Sequence, residues 1–118
     1  MSPATEAALA SAGVGDVARK WGDSAYDTSA ALALWGISQG LRADNVGVAT
    51  CTGYWDALTG AALCGRNDTV LVLVDDGRYQ GLEQVVVPNK GAIARGYVFG
   101  GPSAVGAEAY AACENATK

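Results

Sequence analysis

Three carboxylates occupy places where a folded chain can use an acid. Asp56 follows Gly53-Tyr54-Trp55 at what reads as the first turn of a helix, and Asp75-Asp76 closes an apolar run ahead of Gly77. A hard divalent cation takes carboxylate oxygens. Adjacent residues on an extended chain point opposite ways, however, so an Asp-Asp pair is a poor clamp and reads as a solvated turn. The strand before Asp56 ends Thr50-Cys51-Thr52, with no acid to complete a metal set. Gly100-Gly101-Pro102-Ser103 could cradle an anion at a helix N-terminus. It is neither G-x-G-x-x-G nor a P-loop, and a tight turn is the expectation. No metal and no cofactor is expected.

The sequence contains no His. The usual general base, the Ser-His and Cys-His nucleophile pairs and the commonest metal ligand are all removed together. The three Cys, at 51, 64 and 113, show no C-x-x-C spacing and are expected as buried free thiols; in an oxidising compartment one disulfide stays open as the alternative, with one Cys left over. No catalytic residue is assigned, and the chain is read as a non-enzyme.

The bulk properties narrow the partners. The 118 residues suffice for one domain, half are hydrophobic, 17% are charged and 16 are Gly. A net charge of −4 opposes nucleic-acid binding, which needs a basic face. The eight cations are scattered along the chain, and only folding can bring them together. No apolar run reaches the ~18 residues that span a membrane. Residues 1–6 lack a basic region and an apolar core, so any export signal is expected outside this chain.

The elements that must position these residues follow from hydrophobic pattern and punctuation. Residues 3–12 read as a short Ala-rich helix, the core of an N-terminal extension over 1–15; residues 16–118 read as one module. Residues 14–21 suggest a short edge strand. A helix starts near Tyr26 with Asp27 or Thr28 as cap, runs through Trp35 and stops near Gly40; it is apolar nearly all round, so it should be largely buried. Residues 41–45 read as a polar loop, 46–51 as a buried strand, and 54–66 as a helix capped by Thr52, with Gly60, Ala61 and Ala62 allowing close packing. A strand over 69–74 follows. Residues 78–87 are a modest helix or turn weakened by Val85-Val86-Val87. A third strand over 96–99 and a helix over 104–114, with Pro102 near its start, complete the chain. Alternating helices and strands with right-handed crossovers predict a three-layer α/β/α sandwich on a small parallel sheet, Toprim-like or flavodoxin-like. Ligands in such sheets sit beyond the carboxyl ends of the strands, where Tyr54, Trp55 and Asp56 lie.

Arg19-Lys20-Trp21-Gly22 followed by Tyr26-Asp27-Thr28-Ser29 resembles the R-x-x-G-x-x-R-Y-x-T-A signature of the cell-wall-binding repeat, type 2. Tyr54-Trp55-Asp56-Ala57-Leu58 is similar to that family's aromatic-then-DAL element, and Val98-Phe99-Gly100-Gly101 with Ser103-Ala104-Val105 is similar to its ilGG-x-x-aV element. The three lie in the family's order over about residues 19–112. Ala25 stands where the signature has its second Arg. The resemblance implies a non-enzymatic module of Gram-positive surface proteins. It would be extracellular at the cell wall and would anchor its parent by binding an anionic wall polymer, assembled with like modules as a homotrimer or tandem pseudo-trimer. The candidate binding set is Arg19, Tyr26, Tyr54, Trp55, Asp56 and Arg78. Two alternatives stay open: a small-molecule domain binding nucleotide or sugar phosphate at the Gly53 and Gly100-Gly101 turns, or a purely structural assembly module.

Overall fold

The computed structural model describes residues 2–118 of the chain. Three parallel strands, β1 (Arg42–Ala49), β2 (Thr69–Leu73) and β3 (Arg95–Phe99), form one sheet in the order β2-β1-β3. Five helical segments surround it: α1 (Pro3–Ser11), α2 (Ala25–Ser38), α3 (Trp55–Arg66), α4 (Val87–Asn89, entered through a π turn over Leu82–Val86) and α5 (Ala107–Ala116). The architecture is the layered α/β arrangement expected from the pattern.

Strand periodicity decides which residues meet which layer. Val46, Val48, Val70 and Val72 share a core with Ala30 and Ala33 of α2, with Leu82, Val85 and Val86 of the π turn, and with Ala109 and Cys113 of α5. The other face is covered by α3, and the approach there is close. A Cβ on Gly47 would sit 2.5 Å from the Cys64 sulfur, and one on Gly60 would sit 2.7 Å from Phe99 Cγ. Of the three small residues read as a packing surface, Gly60 is buried and Ala61 and Ala62 face outward.

Several boundaries differ from the sequence reading. Residues 42–45 are strand, not loop. The Arg42 N–H donates to the Asp68 carbonyl at 2.6 Å and the Thr69 hydroxyl donates to the Asn45 carbonyl, so β1 pairs with β2 earlier, through an irregular register. Residues 14–21 form no strand. At the outer edge of β2 the Leu73 N–H is instead satisfied by α2, donating to Ser29 Oγ at 3.0 Å. Ser24, and not Asp27 or Thr28, caps α2, accepting from the Asp27 N–H at 3.2 Å. Gly40, at φ +107°, ends that helix, with the Leu41 N–H returning to the Gly36 carbonyl. Thr52 does not cap α3; Tyr54 holds that position without a side-chain cap bond.

The weak 78–87 segment is a π turn because Pro88 lacks the N–H that would bond the Gln84 carbonyl and its ring crowds that oxygen. Widening the turn relieves the clash and directs Leu82, Val85 and Val86 to the sheet together, while Asn89 Nδ2 donates to the Val85 carbonyl at 2.7 Å. Helix α5 begins at Ala107 rather than 104, so Pro102 lies in the turn before it. Helix α2 buries only Ser29, Ala30, Ala33 and Gly36; Leu32, Leu34 and Trp35 face outward, so its outer side is open.

Two glycines of α3 should respond oppositely to alanine. Gly65 meets nothing within 4 Å, so Gly65→Ala should gain about 0.5–1 kcal/mol from helix propensity. Gly60→Ala should lose about 1–3 kcal/mol by overpacking against Phe99, despite the same propensity gain. Urea denaturation of the two variants against the parent checks both signs.

Candidate functional site

The carboxyl ends of the strands are organised by Asp75 and Asp76, which leave β2 in opposite directions. The Asp75 carboxylate turns toward β1 and α2. Tyr26 Oη donates to its Oδ2 at 2.7 Å, the Cys51 N–H donates to the same oxygen at 3.0 Å, and the Thr50 hydroxyl donates to its Oδ1. Asp76 turns toward α5, where its Oδ1 accepts from the Ala109 N–H at 2.9 Å. Ala109 is the third residue of that helix, so Asp76 is a cap supplied from across the fold. Tyr79 adds a second tie, its hydroxyl donating to Glu108 at 2.7 Å. The solvated turn expected for Asp75-Asp76 is therefore a double anchor. The opposed directions expected for neighbouring residues are what allow it.

Asp56 has a different neighbour. Among the described residues its carboxylate makes no hydrogen bond or ion pair; it lies against the Gly100 backbone, where an added Cβ would come within 2.7 Å of Oδ2. Gly100 is at φ +112°, so this turn requires glycine both for its dihedral and for the approach of Asp56. The Gly100-Gly101 turn does not open onto a free helix N-terminus, because the one after it, that of α5, already holds Asp76.

The remaining candidates do not converge with these. Arg19 lies in the segment before α2, its Nε donating to Glu6 Oε1 at 2.6 Å and holding that carboxyl below its ordinary pKa. Lys20 next to it stacks over Trp35, 5.6 Å from the ring centroid. Gly22 is pressed against Asp27, and its N–H donates to Thr28 Oγ1 at 3.0 Å, which gives the Gly and Thr of the signature a shared structural task. Ala25 is the exposed first residue of α2. Tyr54 and Trp55 stack with centroids 4.4 Å apart and are 57% and 66% exposed. Arg78 is exposed, and its backbone bridges Asp75. Thus the fold gathers Tyr26, Arg78 and Asp75 into one cluster, sets Tyr54, Trp55 and Asp56 at the start of α3, and leaves Arg19 with α1.

Residues 19–110 match the sequence model of the family described as cell wall binding domain 2. The chain belongs to that family. The match spans the Arg19-Gly22-Tyr26-Thr28 segment, the Asp56 element and the Gly100 turn just described. Comparison with curated proteins and with solved structures gives no significant match. Membership establishes cell-wall binding in general terms, in a family that is non-catalytic, and implies association with the cell surface. No helix among the described residues is long and apolar enough to cross a membrane. No group of three or more metal-ligating side chains occurs among the described residues. The three Cys are free thiols; Cys64 and Cys113 are buried, Cys51 is half-buried, and burial pushes the Cys113 thiol up to about 11.

Burial, with the Asp75 carboxylate close behind it, pushes the Tyr26 hydroxyl up to about 12. The neutral phenol is therefore favoured by folding. Its contribution is complete below the unfolded value near 10 and is lost as pH rises through about 12. Tyr26→Phe should cost about 1–2 kcal/mol at neutral pH through the lost bond to Asp75 and should flatten the fall in stability above pH ~10. Urea midpoints at pH 7 and across pH 9–12 would check both effects.

Proposed function

We propose that this module anchors its parent protein non-covalently to the bacterial wall by binding an anionic wall polymer, in a threefold assembly with like modules. The family match over residues 19–110 carries the reading. Two surface features support the finer parts of it. Tyr54 and Trp55 stand exposed at the start of α3, a stacked pair suited to the apolar face of a sugar ring, with exposed Arg78 on the same side of the sheet. Leu34 and Trp35 on α2, with Leu58 and Leu63 on α3, leave apolar side chains outward on both layers of the sandwich, as repeated lateral contacts between modules would need.

The candidate residues divide by role in this reading. Tyr26 and Asp56 hold the sheet edge in shape, Arg19 ties the 1–15 extension to the 16–118 module through Glu6, and Tyr54, Trp55 and Arg78 are the members that face ligand. The module would have no catalytic role and no cofactor, and would act outside the cell of a Gram-positive host. The tight occupancy of the α5 N-terminus by Asp76 weighs against a nucleotide site at the Gly100-Gly101 turn.

Purified chain should co-sediment with isolated cell walls and be released by raised salt, as exposed charge pairing requires. Multi-angle light scattering should give three times the monomer mass. Leu58→Glu, at a 63% exposed position, should yield monomers with unchanged circular dichroism. A wild-type chain that neither sediments with walls nor associates would remove the proposal.

A further inference from the structure

Three of the chain's eight cations, apart in sequence, meet at the opposite edge of the sheet from the cluster around Asp75. Arg42 begins β1, Arg95 begins β3 and Arg66 ends α3. Together with Asn45, Asn67 and Tyr97 they line an open cleft of about 400 Å³ whose walls are mainly polar. We infer that this cleft is an oxyanion-binding site that takes the phosphate or carboxylate groups of a sugar chain. The inference rests on the wall-polymer reading above and names the surface that would receive the polymer's charge.

Topology explains how the cluster forms. Asn45 pairs with Arg95 and Gly47 with Tyr97 across β1 and β3, so Arg95 and Tyr97 share the face that Gly47 presents to α3. The last turn of α3 then delivers Arg66 to the same rim, where its charge also complements the helix C-terminus. Arg42 enters from the neighbouring strand.

Electrostatics argues that the cluster has a use. The chain carries twelve acids against eight cations, yet guanidinium groups from three separate elements line this one cleft, their repulsion offset in part by Asp44 on Arg42 and by Asp68 in the wall. Among the described residues only Arg42 of the three forms an ion pair, with Asp44. Asp68 is the one acid in the cleft wall. Arg95 reaches a neutral partner, its Nη1 donating to the Tyr97 hydroxyl at 3.4 Å, and Arg66 forms no ion pair. Two guanidinium forks therefore stand without a carboxylate, in the planar geometry that grips phosphate and carboxylate oxygens in pairs. The side-chain amide of Asn67 adds a neutral donor, while that of Asn45 already donates to Asp44 Oδ1 at 3.1 Å. The Tyr97 ring, stacked 6.3 Å from Phe99, offers a flat apolar surface beside the charges for the sugar between them. The cleft is open to solvent, which suits a group carried on a larger chain better than an enclosed small molecule.

Backbone and arginine Nε resonances of the isotope-labelled full chain, titrated with inorganic polyphosphate and separately with polygalacturonate, would test the site. Shifts confined to residues 42–45, 66–68 and 95–97 are expected, stronger with polyphosphate for a phosphate polymer and with polygalacturonate for a carboxylate one. Shifts centred elsewhere, or none with either polyanion, would overturn the inference. The variant R66Q/R95Q touches no ion pair and loses only the exposed charge at the α3 C-terminus and the 3.4 Å bond to Tyr97, so its circular dichroism should match the wild type and its thermal midpoint should fall by only a few degrees. It should weaken polyanion binding by about tenfold for each guanidinium removed. The slope of log K against log salt should fall by about 1–2, as for other polyanions. Lys20→Gln, an exposed cation outside the cleft, should leave that affinity unchanged. Wall sedimentation separates this inference from the reading it rests on: if the parent chain sediments and R66Q/R95Q sediments equally well, the site is wrong and wall binding stands. If the parent does not sediment but the cleft still binds polyanion, wall anchoring fails and the site stands.

Discussion

A carboxylate carried to the half-buried edge of a parallel sheet must find donors, and Asp75 finds them on two other elements. Its bonds to Tyr26, Thr50 and the Cys51 N–H join α2, the end of β1 and the end of β2 at one point. Asp76, one residue on, turns the other way and holds the start of α5. The two acids together set where the layers sit relative to the sheet edge. The Asp56 element and the Gly100 turn pack within that frame. Removing the Asp75 carboxyl would leave a half-buried amide N–H and two hydroxyls to find new partners, which is why the cluster reads as architecture.

The second constraint is closeness. Helix α3 lies on β1 and β3 through glycine, with Gly47 under Cys64 and Gly60 over Phe99. Only Gly60 and Cys64 are buried along α3, because no further layer covers the side of the helix away from the sheet. Trp55, Leu58 and Leu63 are left outward as a consequence.

Much of the fold could be read along the chain. The apolar runs at 46–51 and 69–74 marked two of the three strands because parallel strands covered on both faces lack alternation. The positions in the family signature were legible too, since Gly22, Tyr26, Thr28 and Gly100 each serve a local geometry that few other residues can satisfy. What was missed has physical reasons. The first residues of β1 are polar because they lie at the sheet's rim, so they looked like loop. The π turn depends on Pro88 acting backward on Gln84, and it could be foreseen only as weak helix. Asp76 caps a helix 31 residues away from its own position, counting to Ala107, and a cap search confined to neighbouring residues cannot find it.

Composition and local pattern determined that this chain would be a small layered α/β module with no histidine to support ordinary acid–base chemistry, and the ordered motifs resembled the wall-binding family that its sequence matches. Burial demands, glycine dihedrals and strand periodicity act over a few residues, so they are written locally. Only the tertiary structure decided what the charges do. It turned Asp75 and Asp76 to opposite anchors, left Asp56 against the Gly100 backbone, and drew Arg42, Arg66 and Arg95 into one cleft. Coulomb and hydrogen-bond partners are set by distances between elements, and those distances exist only once the strands have taken the order β2-β1-β3.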